Sequence, residues 1–164
     1  MDHIISSFVT KNTGLVNQLT NEVTIYCNDK SLKVKALWDT GATHTCISTN
    51  VVKELNLIST GKTLIRTPSG EATKNQYLVS VLLPNNVQVK DIVVNDSEIG
   101  SQGFDILIGM NIINLGNFAV SNYNGKTYFS FETPATKHID FVAELQKLRI
   151  IGQKHGKGNK KRKK

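Results

Sequence analysis

The 164 residues fit one ordinary domain with short extensions, and a 39% hydrophobic content supplies a real core, which excludes a disordered or fibrous chain. The net charge of +7 is unevenly spread: residues 147–164 carry nine of the twenty Lys and Arg and no acid, leaving eleven basic against thirteen acidic residues, a net of −2. No apolar run approaches the ~20 residues of a membrane-spanning helix, and Met1-Asp2-His3-Ile4 lacks the basic-then-apolar layout of a secretory leader, so a cytoplasmic protein without membrane contact is expected.

Residues 1–18 show no clear period and read as an N-terminal extension. From Leu19 the pattern turns strand-like, with Val23, Ile25 and Cys27 on one face and Thr24 and Tyr26 on the other. Asn28-Asp29-Lys30 signals a turn, and Leu32 to Trp38 alternates again, so a hairpin feeds directly into Asp39. Ser48 or Thr49 is placed to cap a short helix through Leu55. Residues 63–66 and 76–83 read as strands flanking Thr67-Pro68-Ser69-Gly70, whose Pro and Gly suit a type I turn. After a turn at Pro84-Asn85-Asn86, residues 87–94 form another strand. Phe104-Asp105-Ile106-Leu107-Ile108-Gly109 is a short apolar run, followed by a helical piece near Met110–Leu115. Residues 118–120 and 127–131 suggest a closing hairpin around Asn124-Gly125, a two-residue turn signal. Ile139, Val142, Leu145 and Leu148 recur at helical spacing, capped by Thr136, giving a C-terminal helix over 134–151. Residues 152–164 read as a disordered basic tail. Many short strands and two or three short helices make a mostly-β domain of barrel or sandwich type.

Cys27 and Cys46 make neither a disulfide framework nor a Cys-x-x-Cys pair and are expected to be small buried thiols. Histidines 3, 44, 138 and 155 fall in no zinc pattern, and neither a metal nor a cofactor is expected.

The sharp feature is Ala36-Leu37-Trp38-Asp39-Thr40-Gly41-Ala42-Thr43. A carboxylate straight after an apolar strand is costly to bury, and Thr-Gly suits a tight turn that holds it. Asp-Thr-Gly alone is only three residues long, and a plain strand-to-loop turn with a surface Asp would produce it too. The downstream Asp105-Ile106-Leu107-Ile108-Gly109-Met110-Asn111 segment adds to it. In this order, with a Gly-bearing hairpin between them, residues 20–133 resemble the retropepsin-like aspartic protease family. The pattern is closest to its prokaryotic and phage members.

That resemblance implies a closed or partly closed β-barrel of the acid-protease type over 19–133. It implies Asp39 as the catalytic acid and Thr40 bonding across a dimer axis. Gly41, Ala42 and Thr43 would meet substrate, as would Pro68, Ser69 and Gly70 at the tip of a flap. Ile106, Leu107, Ile108 and Gly109 would form the strand packed beneath the active loop. Many viral members carry an acid two residues after the loop Gly and an Arg after the downstream Gly, paired with each other. Thr43 and Met110 stand there in this chain, so both charges are missing together and neither is orphaned.

Such hydrolysis needs two carboxyl groups around one water, and only Asp39 among the seven aspartates stands in Asp-Thr-Gly. The resemblance therefore implies a homodimeric endopeptidase acting on a polypeptide substrate. The rival reading is a non-catalytic binding or scaffold domain of the same fold. Residues 154–164 allow weak, non-specific contact with nucleic acid or another polyanion. Trp38 is assigned to the core or a dimer contact, His44 to a loop, and Asp105 to a turn.

Overall fold

The computed structural model describes residues 5–67 and 70–158. Ser6–Lys11 forms the first strand, β1, in a segment without sequence period; Phe8 is its one buried residue. β2 (Thr20–Cys27) and β3 (Lys30–Trp38) follow as the hairpin that the alternation predicts, paired from Thr20↔Leu37 to Cys27↔Lys30. Asn28 makes its turn with φ 51°, a conformation Asn tolerates better than most residues. β4 (Cys46–Ser48) leads into α1 (Thr49–Glu54), where Ser48 is the cap and its hydroxyl oxygen accepts from the Val51 N–H.

β5 (Gly61–Thr67) and β6 (Gly70–Leu83) form a long hairpin, paired from Gly61↔Gln76 to Thr67↔Gly70. β7 (Val87–Ser97) returns along β6, and β8 (Ile106–Ile108) runs into α2 (Met110–Ile113). β9 (Asn117–Ser121), β10 (Tyr128–Thr133) and the long helix α3 (Phe141–Gly158) complete the chain.

The order β2-β3-β8-β4-β7-β6 is closed by pairing of β6 back onto β2 (Thr24↔Leu82, Ile25↔Val81, Tyr26↔Ser80). The result is the closed six-stranded barrel expected of an acid-protease fold, with β5 hung on the outer edge of β6. Closure hides the strand edges that would otherwise seek partners. Ile25, Ala36, Ile47, Val81, Ile106 and Ile108 fill it, all fully buried. A second sheet, β1-β10-β9, packs on one side. Its Phe8, Phe129 and Phe131 pack their rings around Trp38, and Phe118 stacks flat on that indole with centroids 5.3 Å apart. Trp38 is therefore a core residue, its ring N–H donating to Asn21 Oδ1.

The expected tight turn is present: Asn124 (φ 51°) and Gly125 (φ 69°) form it, with the Lys126 N–H donating to the Tyr123 carbonyl, at the tip of a connection that spans residues 122–127. Four local expectations are corrected. Thr127 is drawn out of the hairpin: its N–H donates to the Gly14 carbonyl and its hydroxyl to Asn122 Oδ1. The cap of α3 is Asp140, whose Oδ1 accepts from the N–H groups of Val142 and Ala143, while the Thr136 hydroxyl donates to Glu132. Both cysteines are half-buried instead of buried, standing at the ends of β2 and β4. The α3 backbone also continues past 151 to Gly158, and the end of the basic segment lies outside the described residues.

Candidate functional site

Asp39 is the first residue after β3, and its N–H still donates to the Ile108 carbonyl, extending the β3–β8 ladder by one rung. The chain then loops through residues 39–45 and returns as β4. Three-residue β8 lies between the two arms, parallel to β3 (Leu37↔Leu107) and antiparallel to β4 (Cys46↔Leu107). The loop thus arches over the end of β8, and the sequence order apolar strand, loop, apolar strand builds that arch.

Within the arch the Gly41 N–H donates to Asp39 Oδ1 at 2.8 Å, and the Ala42 N–H to the Asp39 carbonyl. The carboxylate is half-buried, whereas Thr40, Gly41, Thr43 and His44 are exposed. The floor is tied to the segment after β8: Met110 N–H donates to the Ala42 carbonyl (2.8 Å) and Asn111 N–H to that of Thr43 (3.2 Å). These backbone bonds join Ala42 and Thr43 to Met110 and Asn111 respectively, with no ion pair between the two segments among the described residues. Gly109 sits where a Cβ would come within 2.6 Å of the His44 carbonyl carbon, so no side chain fits there without moving the backbone.

Two residues that the sequence does not flag complete the clamp. Thr45 is fully buried, and both its N–H (2.8 Å) and its hydroxyl (2.7 Å) donate to Asn111 Oδ1. Its hydroxyl oxygen in turn accepts from the Gly109 N–H at 3.1 Å. The available signal is Asn111 itself, a polar residue inside Ile-Leu-Ile-Gly-Met-Asn-Ile-Ile; nothing marks Thr45 as its partner. Asp105 braces the other arm, its carbonyl accepting from the Ser48 N–H and its Oδ1 from the Ser48 hydroxyl.

A cleft of about 350 Å³ opens beside Asp39 and Thr40, walled by Leu19, Leu37, Trp38 and Phe118, among others. Gly41, Ala42 and Thr43 are not part of its lining. Pro68 and Ser69 lie outside the described residues; Gly70 opens β6 with φ 124°, a conformation that favours glycine. Cys46 stands next to the clamp, and burial first, then the Asp39 charge, pushes its thiol up to about 11, so it is no activated nucleophile. Among the described residues no cluster of three or more His, Cys, Asp or Glu stands ready to hold a metal.

The sequence of residues 23–115 matches the family model described as "gag-polyprotein putative aspartyl protease". No curated protein matches the chain. Among solved structures, the retropepsin-like aspartic protease from Rickettsia conorii superposes with a TM-score of 0.51 at 17% identity, covering 80% of this chain and 98% of that one. Simian foamy virus (mac) protease gives 0.44 at 25% identity, over 58% and 92% of the two chains. The EIAV protease complexed with the inhibitor HBY-793 gives 0.47 at 21%, over 61% and 88%. The first of these likenesses is one of fold.

Proposed function

The chain belongs to the family of gag-polyprotein aspartyl proteases, and from that premise we propose that it is a homodimeric aspartic endopeptidase with Asp39 as each chain's catalytic acid. The observation that carries this reading is the Asp39 arch: one carboxylate at a strand end, held by the Gly41 N–H and clamped to the segment after β8. Such bracing suits a group that must keep its position to within a fraction of an ångström during a reaction.

One Asp-Thr-Gly per chain provides half of the chemistry. A twofold dimer brings two Asp39 carboxyls together, and like charges at close range leave one ionised and one protonated. The ionised carboxylate takes a proton from the water between them, while the neutral one donates a hydrogen bond to the scissile carbonyl. Water oxygen bonds to the carbonyl carbon; collapse of the tetrahedral species then breaks the C–N bond as the leaving amine receives a proton. The dyad titrates as a unit, so neither pKa belongs to one chain. Thr40, exposed beside Asp39, is placed in this reading across the dimer axis, and the open cleft at Leu37, Thr40 and Phe118 is available to the second chain.

The β5–β6 hairpin is assigned as the flap over bound polypeptide, with Gly70 at its tip and Gly41, Ala42 and Thr43 offering the opposite wall. The working unit runs from about residue 19 to 133 with β1 added, because β1 shares the sheet of β10.

Incubating wild type and Asp39→Asn with an unstructured polypeptide across acidic to neutral pH tests the proposal. Wild type is expected to cleave and the variant to lose at least ~1000-fold in rate with its melting temperature retained. Equal cleavage by both, or none by wild type at dimer-forming concentrations, contradicts it.

A further inference from the structure

Helix α3 has no place in the site described above. Its first three turns carry Phe141, Leu145 and Leu148, spaced four and three residues apart, so they share one face, with Val142 and Ile151 on its flanks. Every one of these side chains is at least half exposed, from Leu145 at 50% to Phe141 at 70%. Glu144, three residues after Phe141 and four before Leu148, shares that face and Arg149 borders it beside Val142, while Lys147 lies toward the opposite side with Gln146 and Ile150. In proteins most of a helix's stability comes from packing its apolar face, which the 18-residue α3 leaves open.

Charge narrows what the cover is. Residues 141–164 hold nine basic side chains and one acid, a net of +8, whereas residues 1–140 hold eleven basic and twelve acidic, a net of −1. The net positive charge of the chain therefore lies wholly in the segment that carries the uncovered apolar face. Packing two such segments against each other would bring like charges together, which disfavours a second copy. Nucleic acid would satisfy the charge and leave Phe141, Leu145 and Leu148 in water. An anionic lipid surface satisfies both, since it offers phosphates to the lysines and acyl chains to the apolar face.

We propose that α3 and the basic segment after it dock the protein on anionic membrane surfaces, the helix lying in the plane of the headgroups. No helix among the described residues is long and apolar enough to cross a membrane, and lying on one requires no crossing. Docking needs no turnover, so its test reads binding alone.

The test is co-sedimentation of the full chain with vesicles of phosphatidylcholine alone or with about 30% phosphatidylserine, alongside circular dichroism. Wild type is expected to pellet with the anionic vesicles and not the neutral ones, with a gain in helix signal. Leu145→Asp/Leu148→Asp and, separately, Lys147→Glu/Arg149→Glu should each weaken partitioning at least ~10-fold while the β-domain melt is unchanged. Three outcomes overturn the proposal. Leu145→Asp/Leu148→Asp pellets as well as wild type. A DNA duplex is bound while vesicles are not. Vesicles are ignored, and the same double variant instead abolishes self-association in analytical ultracentrifugation, which would assign the face to a second copy.

Discussion

The Asp39 arch and helix α3 are both built on regular apolar patterns, and they meet opposite fates. Ile106 and Ile108 beneath the arch are fully buried, with every neighbouring strand hydrogen-bonded around them. Leu148 in α3 stays 64% exposed. Periodicity identifies which face of an element is apolar; only tertiary contact decides whether the chain itself covers it. In the arch the cover is intramolecular and the loop is fixed. In α3 the large apolar side chains stay at least half exposed among the described residues.

This contrast is open to measurement by thermal or denaturant melts of single variants. Phe129→Ala should cost about 3–5 kcal/mol, because a fully buried ring shared by β10, β1 and Trp38 leaves a cavity. Gly109→Ala should cost about 1–3 kcal/mol, since the new methyl meets the His44 backbone and something must shift. It should also lower cleavage by more than its stability loss explains, as the displaced backbone carries Asp39. Thr45→Val should cost about 1–2 kcal/mol by taking a hydroxyl donor from Asn111 and an acceptor from the Gly109 N–H. Leu148→Ala should fall within about 0.5 kcal/mol of wild type in solution. A large loss there would mean that α3 is covered in the free protein, and the contrast would collapse.

How much of this was legible beforehand follows from the range of each interaction. The β2–β3 hairpin and the arrival at Asp39 were readable because alternation and turn residues act over a few positions. Strand β1 was not, because Ser6-Ser7-Phe8-Val9-Thr10-Lys11 buries a single residue and pairs with β10 over a hundred positions away. The Asp39–Gly41 bond is local, whereas Thr45 meets Asn111 across 66 positions, and nothing near Thr45 announces the contact. The cap of α3 falls at Asp140 and not at Thr136 for a subtler reason. Thr136 and Asp140 are both competent caps, and Glu132 accepts hydrogen bonds from both the hydroxyl and the N–H of Thr136.

The most direct test of the central claim, that Asp39 is half of a shared site, is a mixing experiment. Wild type and Asp39→Asn are equilibrated at constant total chain concentration, well above that needed for dimers, and initial cleavage rates are recorded against the wild-type fraction. Two-chain catalysis predicts a rate that follows the square of that fraction, so an equal mixture retains about one quarter of the wild-type rate. A straight line, with about one half retained, would mean that a single chain is a complete enzyme and would contradict the account.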